Sequence, residues 1–149
     1  MSVRKKEIET KINNQKVIVL LIDDEPRYAE QIRNIIAAEK EFAFHYCQDP
    51  VIATKMIEKN KPSVLLIDHF MPKMDSFRLI HSIKENKETV NLPIIFLLTR
   101  TDDSLKAKAL ESGASEVVIK IPERNVFVNK IRNYSDEYYN LLTKQSKRK

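Results

Sequence analysis

One glycine, Gly113, serves a chain of 149 residues. Glycine-rich phosphate cradles, both G-x-G-x-x-G and the P-loop, are thereby excluded. One cysteine, Cys47, leaves no intramolecular disulfide and no cysteine metal cluster, which fits a reducing cytoplasm. Apolar runs such as Val17–Ile22 and Val64–Ile67 fall far short of the ~20 residues that span a bilayer. The first 16 residues are charged and carry no apolar signal-peptide core, so neither a membrane-inserted nor a secreted chain is expected. The body also lacks a charge of one sign: residues 17–135 hold 17 basic and 17 acidic side chains, and the net charge of +5 resides in the two ends. Solvated tails account for that distribution, and direct nucleic-acid binding is not expected.

What is present is an alternation. Val17–Ile22 is continuous and largely β-branched, the pattern of a strand buried on both faces. From Arg27 to Ala38, Tyr28, Ile32, Ile35 and Ile36 recur at helical spacing. Further strands are predicted at Phe42–Cys47, Val64–Ile67, Ile94–Leu98 and Val117–Ile121. Helices are predicted over Val51–Lys59, Asp75–Glu85 and Ser104–Ser112, the last closed by Gly113, and a final one starts near Pro122. Five strand–helix units with short loops imply a doubly wound α/β fold with a five-stranded parallel sheet.

In such sheets ligands bind outside the carboxyl ends of the strands, where the strand order reverses. Asp23 and Asp24 end the first predicted strand, Asp68 follows the third, and Lys120 lies at the end of the fifth. The flavodoxin-like order 2-1-3-4-5 would bring the three carboxylates together. Two charges 4 Å apart repel by roughly 4 kcal/mol at an effective dielectric of 20. A hard divalent cation relieves this, and an all-oxygen site that keeps several waters favours Mg²⁺. A carboxylate beside a metal, with a lysine opposite, suits attack on phosphorus to form an acyl phosphate.

These residues resemble the receiver domain of two-component response regulators. The resemblance rests on Leu20-Leu21-Ile22-Asp23-Asp24-Glu25, on Leu65-Leu66-Ile67-Asp68-His69-Phe70-Met71-Pro72-Lys73-Met74-Asp75, on Leu92-Pro93-Ile94-Ile95, on Gly113-Ala114 and on Lys120, and covers about residues 16–135. His45–Pro50, Lys120–Pro122 and Lys130–Arg132 look most like the receivers of WspR-type regulators, whose output is a GGDEF diguanylate cyclase. The resemblance implies that Asp68 accepts a phosphoryl group from a sensor histidine kinase or a phosphotransfer protein. It implies that Asp24, Asp68 and the Phe70 backbone carbonyl bind Mg²⁺ directly, that Asp23 holds a metal-bound water, and that Lys120 pairs with the phosphate. The chain would be no enzyme beyond phosphorylation of its own Asp68.

The departures from the family pattern are specific. The hydroxyl residue expected thirty positions after the acceptor falls on Leu98, with Thr99 one place later as the uncertain substitute. A regular fourth strand would put Leu98 in that slot and turn Thr99 elsewhere. Val117 stands where an aromatic is frequent, and Ser76 where glycine is usual. Ile121 separates Lys120 from Pro122. A cis bond before a residue other than proline costs about 2.5–4 kcal/mol, so a trans Lys120–Ile121 bond is expected. A receiver with this altered switch could instead be a phosphorylation-independent interaction module. A Mg²⁺ phosphohydrolase of like topology is disfavoured, because its second acid would stand where Phe70 is.

The last helix carries Phe127, Ile131, Tyr134, Tyr138 and Leu141 at spacings of 4, 3, 4 and 3, a coiled-coil seam. A helix from about Glu123 to Thr143 would project past the domain. Tyr134, Tyr138 and Leu141 would then serve a homodimer or a covalently attached output domain. The expected organisation is a basic tail over 1–15, a receiver domain over 16–135 and a helical, basic extension over 136–149.

Overall fold

The computed structural model describes residues 16–147, and the expected tail over residues 1–15 lies outside them. Five strands, β1 (Val17–Ile22), β2 (Phe42–Cys47), β3 (Val64–Asp68), β4 (Ile94–Leu98) and β5 (Glu116–Ile119), form one parallel sheet in the order β2-β1-β3-β4-β5. The helices are α1 (Pro26–Ala37), α2 (Ala53–Asn60), α3 (Ser76–Glu85), α4 (Asp103–Ser112) and α5 (Arg124–Lys147). A 3-10 turn, Pro50–Ile52, precedes α2, so the helix expected over Val51–Lys59 is split, with the Asp49 carboxylate accepting from the Val51 N–H.

The apolar runs are the central strands. β1, β3 and β4 are covered on both faces, and burying one such Leu or Ile side chain contributes about 1.5–3 kcal/mol. Alternation along the strands sorts two cores. Leu20, Ile22, Leu65, Ile67, Phe96 and Leu98 meet α2, α3 and α4. Leu21, Leu66, Leu97 and Val118 meet α1 and α5.

Local chemistry sets the helix starts. The Glu25 side chain accepts from the Arg27 N–H ahead of Pro26 in the first turn of α1, Asp75 accepts from Phe77 and Arg78 at α3, and Asp102 accepts from Leu105 at α4. Gly113 ends α4 at φ 121°, where a Cβ would lie 2.6 Å from Lys84 Cγ. Lys84 is held there because its ammonium donates to the Val90 and Leu92 carbonyls at 3.1 and 2.5 Å.

The final helix begins at Arg124, after the Glu123 carboxylate has accepted from the Asn125 and Val126 N–H groups, and runs unbroken through residue 135, in line with the sequence. It departs from expectation in its path. Its second half packs back instead of projecting. Ser135 Oγ donates to Ser63 Oγ at 2.7 Å, and Tyr139 Oη donates to the Lys16 carbonyl at 2.9 Å, both beneath the N-terminal ends of the strands. Tyr134 packs on the core under α1, whereas Tyr138 packs on the opposite core. Leu141 is left 42% exposed. The seam spacing could not distinguish a partner helix from the underside of the chain's own sheet.

Candidate functional site

The sequence's acidic residues converge because β1 and β3 are neighbours, with Ile22 opposite Ile67. Asp68 closes β3, and Asp23 and Asp24 follow β1 directly. Carboxylate oxygens of Asp23, Asp24 and Asp68 lie within 4.8 Å of one another. Strand alternation turns Asp23 and Asp68 to the α1 side of the sheet, away from Ile22 and Ile67. Asp24 does not cap α1. That task falls to Glu25, whose own N–H donates to Asp23 Oδ1 at 2.9 Å.

Lys120 enters from the far side. It lies one residue beyond β5, and its N–H donates to the Leu98 carbonyl at 2.7 Å. Its ammonium stands 2.6 Å from Asp68 Oδ1 and 3.4 Å from Asp23 Oδ2. The Lys120–Ile121 bond is cis, which corrects the trans expectation. That expectation weighed only the local preference of the amide, whereas Lys120 is fixed by tertiary contacts at both its backbone and its side chain.

Burial pushes the Asp23 carboxyl up to about 6; the Asp68 charge adds to this, and the Glu25 N–H and Lys120 oppose it. Burial also raises Asp68, against the pull of Lys120. Two desolvated carboxylates and a third beside them, with one ammonium between two of them, form an oxygen donor set deficient in positive charge. These residues fit a hard divalent cation.

Of the other expected site residues, Phe70 sits on the loop after β3 with its side chain 71% exposed. Leu98 closes β4 in regular register, opposite Ile119, and is 2% exposed within the α2–α4 core. Thr99 lies in the bend beyond it and is exposed. His69 packs at a tilt against Phe77 and edge-on against Phe96, each 5.5 Å away between ring centres, and burial lowers its pKa.

Two tyrosines that the sequence marks only by the α1 face and by the His45–Pro50 strand segment meet the site. Tyr46 Oη donates to the Asp23 backbone oxygen at 2.6 Å, and burial with the nearby acids pushes its pKa up to about 12. Tyr28, on the first turn of α1, presents its ring face 3.6 Å from the Lys120 ammonium. Tyr46 was within reach of sequence reasoning, since pairing Ile22 with Cys47 sets its ring beside the end of β1. No sequence signal marks the Tyr28 contact.

Residues 19–132 match the family model of the response regulator receiver domain. Histidine kinase P4 of Formosa agariphila is 28% identical over 135 residues, covering 91% of this chain and 10% of that protein. The phosphate regulon transcriptional regulatory protein PhoB of Pseudomonas aeruginosa is 30% identical over 105 residues, covering 68% of this chain and 44% of that protein. The chain thus spans less than half the length of these relatives. A receiver domain protein from Clostridium thermocellum superposes with a TM-score of 0.74 at 20% identity, over 84% of this chain and 98% of that one, a likeness of fold.

Proposed function

This chain belongs to the response regulator receiver family, and on that premise we propose that Asp68 is its phosphoryl acceptor, with a sensor histidine kinase or a phosphotransfer protein as donor. The observation that carries this reading is the Lys120 ammonium 2.6 Å from Asp68 Oδ1, within a cluster of three carboxylates. In the transfer, an Asp68 carboxylate oxygen forms a bond to phosphorus as the donor's phosphorus–nitrogen bond breaks, and the imidazole leaves with the nitrogen's electron pair. Lys120 sits where it can neutralise charge on the transferring oxygens. Asp24, Asp68 and the Phe70 carbonyl are the proposed Mg²⁺ ligands, with Asp23 acting through water. The cation, when bound, supplies charge neutralisation at the same oxygens.

The buried Leu98 and the exposed Thr99 favour a second reading for the output, in which phosphorylation couples weakly to the rest of the domain and contacts made without it carry the signal. Exposed Leu141 on α5 is the proposed point of contact for a second copy or an attached output domain. The finer likeness to receivers that precede a GGDEF diguanylate cyclase rests on His45–Pro50, Lys120–Pro122 and Lys130–Arg132. A cytoplasmic setting goes with the proposed donor.

The test is phosphorylation by acetyl phosphate with magnesium, followed by intact mass. The wild-type chain should gain one phosphoryl group. Asp68→Asn should gain none, and Asp24→Asn should lose Mg²⁺ affinity and phosphorylation together. An Asp68→Asn protein that is phosphorylated as the wild type is would overturn the assignment.

A further inference from the structure

Lys120 is held on three sides, and only two of the holds are carboxylates. Asp68 and Asp23 approach its ammonium at 2.6 and 3.4 Å, and the face of the Tyr28 ring lies 3.6 Å from it. Tyr28 is 8% exposed, and its hydroxyl is buried without a hydrogen-bond partner among the described residues. An unpartnered buried hydroxyl is a cost, so what this side chain contributes to the site lies in its ring. A ring face attracts an ammonium through its quadrupole, most strongly where water is excluded, as it is around this largely buried pair.

The three holds respond differently to chemistry. A lysine ammonium is a compact charge on a flexible stem of four methylenes. When Asp68 becomes an acyl phosphate, the carboxylate charge beside the ammonium is replaced by charge on the phosphoryl oxygens, which stand in a different place. The Asp23 carboxylate lies on the acidic side, where a cation would compete for it. The ring face is altered by neither event.

We infer that Tyr28 is a positioning residue for phosphoryl transfer, the face of its ring keeping the Lys120 ammonium beside Asp68 while the charges around it change. The inference rests on the reading of Asp68 as phosphoryl acceptor.

The test pairs a spectroscopic readout with a kinetic one on the same samples. In the wild-type chain the Lys120 side-chain methylene signals should carry an upfield ring-current shift, and their absence would overturn the contact. Tyr28→Phe should keep that shift and the wild-type rate of phosphorylation by acetyl phosphate. Tyr28→Leu and Tyr28→Met, which fill the volume without an aromatic face, should lose the shift and slow phosphorylation roughly tenfold. The methionine variant covers the case in which leucine packs poorly. A rate within twofold of wild type in a folded leucine or methionine variant would overturn the inference. So would a Tyr28→Phe rate as low as theirs, which would assign the effect to the hydroxyl. A wild-type chain that shows the ring shift but takes no phosphoryl group would overturn the phosphoacceptor reading, and this role with it, while leaving the contact standing.

Discussion

Tyr46 donates its hydroxyl to the Asp23 backbone oxygen across 2.6 Å. The bond crosses from the edge strand β2 to the turn that carries two of the three carboxylates. It fixes the backbone of that turn from outside the acidic cluster, while the Glu25 N–H fixes the Asp23 carboxylate from within. The cluster is therefore held by neutral donors as well as by Lys120, and its geometry does not depend wholly on a bound cation.

The raised Asp23 carboxyl makes stability depend on pH in a stated direction. Folded Asp23 keeps its proton up to about pH 6, whereas an unperturbed aspartate loses it near 3.8. Between those values the folded state binds more protons than the unfolded one, so this group's contribution to stability falls as pH rises through that window. In thermal melts without magnesium, Asp23→Asn should raise the midpoint above that of wild type by about 2–5 °C at pH 7, with the gap closing toward pH 4. Millimolar Mg²⁺ should stabilise the wild type more at pH 7 than at pH 5. A gap that widens on acidification would contradict the assignment.

Thr99 is exposed beyond the end of β4, and Leu98 fills the last position of that strand. Thr99→Ala should leave the rate of phosphorylation by acetyl phosphate within about twofold of wild type, and any phosphorylation-dependent association unchanged. A hydroxyl bond to a charged phosphoryl group is worth roughly 1.5–3 kcal/mol. A loss of tenfold or more would therefore show that the bend swings Thr99 into the site.

The α5 residues divide into two tests. Tyr138 packs against the α2–α4 core, so Tyr138→Ala should lower stability by about 1–3 kcal/mol in urea unfolding. Leu141→Glu should leave stability within about 0.5 kcal/mol, because the side chain is exposed, and should reduce any self-association measured by sedimentation. A wild-type chain that sediments as a monomer at high concentration would remove the second copy as the partner for Leu141.

Gly113 has no tolerant substitute. At φ 121° a side chain is strained, and the Lys84 Cγ blocks the Cβ at 2.6 Å. Gly113→Ala should cost about 1–3 kcal/mol, read from the shift in the denaturation midpoint.

The carboxylates and Lys120 were legible because they stand at the ends of apolar runs, which locate the ends of β1 and β3 to within a residue and that of β5 to within two. The doubly wound class followed from the alternation of strands and helices, and the strand order from the flavodoxin-like arrangement that sets the three acids together. The contacts of Tyr28 and Tyr46 were not legible as site contacts, since helical spacing and strand alternation each report a face but not what the face meets. The geometry of the Lys120–Ile121 bond was misread for a related reason: a local preference was weighed where tertiary contacts decide. The heptad spacing of α5 was correct as a pattern and incomplete as a reading, because Tyr134 and Tyr138 meet two different cores of their own domain.

The path of α5 beneath the sheet bears on how the molecule comes apart. A sheet covered on both faces has two apolar layers that share only the strands, and each could loosen by itself. Here one helix starts in the first layer with Phe127 and Ile131, is pinned at the strand ends by Ser135 on Ser63, and places Tyr138 in the second. Opening either layer displaces the same helix, which couples the two into one cooperative unit. Amide hydrogens of α1 and α3, on opposite faces, should then exchange through a common opening, and cutting the chain after Ser135 should separate their protection.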